Sequence, residues 1–123
     1  MKFAEEKNRN RIKSYTDTAI RLNESYHKLP MVLHDGRIVT AIELTLYSEF
    51  NQNTAHSIIA QQAEIVLLGT GGTLVFPSME VRHKFLNAGI GLEVMDTPAA
   101  CRTYNILVNE GRNILAILYP TAE

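Results

Sequence analysis

From Ala63 onward, apolar runs alternate with amphipathic stretches, and the alternation spells out secondary structure. Glu64-Ile65-Val66-Leu67-Leu68 is apolar almost throughout, as expected of a strand buried on both faces, and Gly69-Thr70-Gly71-Gly72 follows it directly. Between Ser78 and Ala88, the residues Val81, Phe85 and Ala88 fall on one side, while Arg82, His83, Lys84 and Asn87 fall on the other. That spacing predicts a helix, with Ser78 as its cap, Glu80 favouring its dipole and Gly89 ending it. Ile90 to Met95 reads as a strand, Pro98 to Glu110 as a helix capped by Asp96 or Thr97, and Asn113 to Leu118 as a central strand. The C-terminal half is therefore βαβαβ in character.

The first fifty residues have a different texture. Ile12 to Tyr15 and Thr18 to Leu22 read as two strands with a turn at Thr16-Asp17. Met31 to His34 and Arg37 to Thr40 flank Asp35-Gly36, a strong hairpin signal, and Ile42 to Tyr47 prolongs the second of these strands. This part is antiparallel. A helix then runs to about Gln62, capped by Asn53 or Thr54, with Ala55, Ile58, Ile59 and Gln62 on its buried stripe. There are no repeats or linkers, so residues 1–123 are read as one domain, with residues 1–10 a flexible polar leader.

Composition narrows the function classes. A net charge of −1 gives no electrostatic reason to expect nucleic acid. One cysteine, Cys101, makes no internal disulfide and points to a reducing, cytoplasmic setting. No apolar run approaches the roughly 18 residues that would span a membrane. The four histidines lack metal-ligand spacing, and the serines lack a nucleophile elbow, so no catalytic or metal residue is assigned and no cofactor is called for.

Two features remain as candidate binding sites. The Gly69, Thr70, Gly71, Gly72 loop lets backbone approach a ligand and point N–H groups at an anion, and Glu93 sits where dinucleotide folds keep a ribose-binding acid. Against that, Leu74 occupies the third glycine position, and Thr73 to Pro77 separates the loop from the helix that should hold a phosphate. On the last helix, Ala100, Cys101, Tyr104, Leu107 and Val108 form the buried side. The opposite arc carries Arg102, Thr103, Asn105, Asn109 and Glu110 with Ala99 and Ile106 among them, a mixture suited to a contact surface. Glu110 and Arg112 flank the Gly111 exit and are spaced for a local ion pair.

The order Leu67-Leu68-Gly69-Thr70-Gly71, then Gly89 to Thr97, then Ala99-Ala100-Cys101-Arg102-Thr103-Tyr104-Asn105-Ile106-Leu107 and Glu110-Gly111-Arg112, resembles the Mth-type domain family. That family is of unknown function and is related to a mitochondrial complex I assembly factor and an adipogenesis-associated protein. The resemblance implies an α+β or α/β, three-layer fold: an antiparallel N-terminal β layer, a central mixed sheet, and helices on one face. It implies no established activity or cofactor. It carries over Gly69, Thr70, Gly71, Thr97, Thr103, Tyr104, Asn105, Glu110 and Arg112 as signature positions, serving either fold or function. The resulting expectation is a small cytoplasmic binding module, an assembly or accessory factor acting through a protein partner. The alternative is an anion- or nucleotide-binding protein or enzyme using Gly69–Gly72 with Thr97 and Arg112.

Overall fold

A computed structural model describes residues 11–122, so the polar leader expected over residues 1–10 lies outside the described residues. Strands β1 (Ile12–Tyr15), β2 (Ala19–Leu22) and β3 (Ser25–Lys28) form an antiparallel sheet in that order. Strands β4 (Met31–His34), β5 (Arg37–Ile38), β6 (Ile65–Gly69), β7 (Gly91–Met95) and β8 (Ile114–Leu118) form a second sheet, ordered β5-β4-β8-β6-β7. Its β7-β6-β8 part is parallel, and β4 runs antiparallel to both β8 and β5. Three helices, α1 (Gln52–Ile59), α2 (Met79–Asn87) and α3 (Thr97–Asn109), complete the α+β architecture.

The antiparallel N-terminal layer and mixed central sheet are as the pattern predicts, but the helices do not share one face. Ala100, Cys101, Tyr104 and Val108 of α3 pack with Leu67, Ala116 and Leu118 on one side, where Ile12, Ile20 and Leu22 of the small sheet join them. Ala55 and Ile58 of α1, with Val81 and Phe85 of α2, pack with Val66, Leu68, Leu115 and Ile117 on the other. The reason is connection handedness. From β6 to β7 the chain steps outward, and from β7 to β8 it steps back across β6. Right-handed crossovers in opposite directions put their helices on opposite faces.

Two further differences concern strands. The segment expected to prolong β5 leaves the sheet, and Ile42, Leu44, Tyr47 and Phe50 lie instead against the α1/α2 face. Conversely, β3 carries no apolar alternation, with only His27 of its four residues partly shielded, and its pairing with β2 holds it in place. The turn before it uses Asn23 at φ 53°, a conformation Asn tolerates. The Asp35-Gly36 hairpin is present, with both residues at positive φ as a tight two-residue turn demands.

Candidate functional site

The glycine loop lies at the carboxyl end of β6, against the start of α3. Gly69 sits in close quarters: an added Cβ would stand 3.1 Å from both Ala100 Cβ and Thr97 Cα, tight enough that a neighbour would have to give way. Thr97 ties the region together. Its hydroxyl donates to the Tyr119 carbonyl at 2.6 Å and accepts from Gly71 N–H at 2.9 Å, and its own N–H donates to the Gly71 carbonyl at 2.8 Å. Thr70 closes the loop on itself, donating to the Thr73 carbonyl at 2.6 Å and accepting from Val75 N–H at 3.1 Å. Gly72 is exposed beside Thr121.

The start of α3 offers an anion few free N–H groups. In the first turn of α3, Thr97 N–H is engaged by Gly71, Pro98 has no N–H, and Ala99 N–H donates to Asp96 Oδ1 at 2.8 Å. The crevice beyond β6 and β8, where α/β sheets commonly bind ligands, encloses about 50 Å³. Tyr47 lines it, with its hydroxyl donating to the Val75 carbonyl and its ring edge-on to Tyr119 at 5.3 Å. Arg112 does not join the loop. It precedes β8 at the opposite end of the parallel strands, six residues before Leu118, which pairs with Gly69, and so roughly 20 Å away.

At that opposite end Arg112 grips Glu64 through two bonds of 3.1 Å each, in place of the expected local pair with Glu110. The hydrogen bond from Arg112 is the main cause holding the Glu64 carboxyl below its ordinary range. The remaining signature residues lie along α3. Tyr104 is fully buried, and its hydroxyl accepts from Gly36 N–H at 2.6 Å. Asn105 accepts from Ile12 N–H at 2.7 Å and donates to the Ile12 carbonyl at 2.8 Å. Arg102 donates to the Tyr15 hydroxyl at 2.9 Å, and Thr103 is half-buried. Of the arc expected as a contact surface, Arg102, Ile106, Asn109 and Glu110 are exposed, while Arg102 and Asn105 also hydrogen-bond to the small sheet. Cys101 is buried, and loss of solvent pushes its thiol up to about 12 although Arg102 opposes the shift, so it is no ready thiolate. Among the described residues no three His, Cys, Asp or Glu side chains are grouped to hold a metal.

The exposed apolar surface lies elsewhere. Phe76, Met79 and Leu86 are 61%, 59% and 71% exposed and line a groove of about 710 Å³ with Ile90, Leu92 and Val94. Leu74 and Val75 extend the apolar stretch along the preceding loop. Arg82 lies over the Phe76 ring at 5.7 Å. A periodicity reading misses this surface by treating Thr73–Pro77 as a bridge. The signal available was three apolar residues, Leu74-Val75-Phe76, in an exposed loop just before a capped helix.

With the geometry described, comparison with known proteins places the chain. The family described as a protein of unknown function, DUF498/DUF598, matches residues 12–119. The chain belongs to this family. A 13 kDa major membrane protein of Francisella tularensis subsp. holarctica is 29% identical to this DUF498/DUF598 protein, over 86% of this chain and 87% of that one. The human NADH dehydrogenase [ubiquinone] 1 alpha subcomplex assembly factor 3 is 30% identical, over 79% of this chain but only 59% of its own length. Among solved structures, a Bordetella parapertussis protein aligns with a TM-score of 0.81 at 28% identity, covering 90% of this chain and 95% of that one. A Bordetella pertussis protein described as an Mth938-like domain aligns at 0.74 and 25% identity, covering 93% and 87%. The resemblance to the Mth-type domain family is thus confirmed. No helix among the described residues is long and apolar enough to cross a membrane.

Proposed function

We propose that this DUF498/DUF598 protein is a cytoplasmic binding module that acts through a protein partner as an assembly or accessory factor. The observation that carries the reading is the groove lined by Phe76, Met79 and Leu86. Clustered exposed apolar side chains of this size mark interaction surfaces more often than solvated ones. The relation to complex I assembly factors supports the class of role, and it reaches only part of their length. The internal engagement of Thr70, Gly71, Thr97 and Asn105 supports a structural task for those signature residues.

The test is cross-linked capture from the host cell with wild type, the Phe76→Ser/Leu86→Ser double variant and Ile106→Ser. All three positions are exposed, so folding stability should stay within about 0.5 kcal/mol per substitution. Capture of one defined protein by wild type and Ile106→Ser, reduced at least tenfold in the double variant, is the expected result. Equal capture by all three would remove the groove from the reading.

A further inference from the structure

The groove has a second property that its apolar lining does not explain: one wall is an open sheet edge. Among the described residues, strand β7 is the last in its sheet, with β6 on one side and no strand on the other. Its inner bonds follow the parallel alternation. Gly91 N–H donates to the Glu64 carbonyl at 3.3 Å, and the Met95 carbonyl accepts from Thr70 N–H at 2.9 Å. Gly91, Glu93 and Met95 therefore turn their backbone groups toward β6, and Leu92 and Val94 turn theirs outward. Neither Leu92 nor Val94 has another backbone or side-chain hydrogen-bond partner on that outer edge among the described residues. Two donors and two acceptors stand in register along the groove.

We infer that β7 takes up an extended segment of a partner polypeptide as an added strand, with alternate apolar side chains seated against Phe76, Met79 and Leu86. This rests on the protein-binding reading above and specifies how the partner docks. Backbone pairing supplies affinity and the pockets supply side-chain selection, the general mode of strand addition. Charges select further. Leu92 and Val94 pack toward the α1/α2 face and Met95 toward the α3 face, so Glu93 faces the α3 side and matches a basic residue on the incoming strand. Arg82, on the groove side and in no ion pair among the described residues, matches an acidic one.

The same charges argue against a second copy as the occupant. Pairing β7 antiparallel with itself over all five residues sets Glu93 directly against Glu93 of the other copy, a like-charge contact that destabilises a sheet. A charged residue on an edge strand is a common guard against self-association. It leaves the edge open to a strand with a base at that position.

The experiment selects phage-displayed random decapeptides on the intact chain, then synthesises the selected peptides with backbone N-methyl groups on one edge or the other. Selected sequences should alternate apolar with polar residues, and N-methylation of one edge alone should weaken binding at least tenfold. On the protein side, Val94→Pro deletes an outward N–H without touching a bond to β6, a substitution edge strands tolerate. Val94→Ala keeps that N–H. Val94→Pro should lose the peptide and Val94→Ala should keep it, with far-UV circular dichroism and melting confirming that both fold. If Val94→Pro does not fold, the peptide N-methyl series still decides the point. Failure to select any peptide, or binding indifferent to N-methylation on both edges, overturns strand addition. So does a sedimentation result showing a dimer that Val94→Pro dissociates, because the occupant would then be a second copy. Cell capture separates this from the broader reading: capture lost with Phe76→Ser/Leu86→Ser but kept with Val94→Pro leaves the binding module standing and removes the added strand.

Discussion

Asn105 shows how a residue that looks available in the sequence is used up in the fold. Its carboxamide oxygen accepts from the Ile12 N–H and its amide nitrogen donates to the Ile12 carbonyl, at the edge of the small sheet. In effect the side chain stands in for a neighbouring strand. Asn105→Ala leaves the Ile12 groups without these partners, and the expected loss is about 1–3 kcal/mol of unfolding free energy. Urea denaturation measures it. Thr97 and Gly69 follow the same logic, one by hydrogen bonding and one by absence of a side chain. None of this shows in spacing, because each partner lies more than twenty residues away in the chain.

At the scale of elements, local chemistry and structure mostly agree. Ser78 caps α2 by accepting from Val81 N–H at 3.2 Å, and Asp96 caps α3 by accepting from Ala99 N–H. Asp96→Ala should therefore cost about 1 kcal/mol, seen as a lower urea midpoint with an unchanged slope. Helix α1 begins earlier than its pattern implies. Asn51 is the cap, and Thr54, a candidate cap in the sequence, supplies the N–H that Asn51 accepts. The strands legible from sequence are the continuously apolar ones, β6 and β8, which are buried on both faces. Strand β3 was not legible because its side chains are mostly exposed and its backbone pairing is what holds it.

Across the whole molecule, burial of ionisable groups sets a pH response. Desolvation raises Cys101 from an ordinary value of 9.0 to about 12 and raises Tyr104 and Tyr119 above their ordinary 10.0. Each group binds its proton more tightly when folded, so its contribution is complete below the unfolded pKa and is lost as pH rises toward the folded one. Melting temperature should be flat to about pH 9 and then fall, more steeply above about pH 10. Melting curves from pH 7 to 11 check this. Cys101→Ala should move the onset of the fall from about 9 toward about 10.

What the sequence determined is whatever depends on near neighbours: the two halves of different texture, the caps Ser78 and Asp96, the Asp35-Gly36 turn, the apolar central strands and the family itself. Periodicity and capping act over three or four residues, and those are written directly in the chain. Only the tertiary structure decided which helix covers which face, because crossover direction depends on where β8 inserts. It likewise decided that Arg112 and the glycine loop lie at opposite ends of the central strands, and that β7 ends the sheet beside Phe76 and Leu86. An unpaired edge is a property of strand order, which no local run of residues encodes.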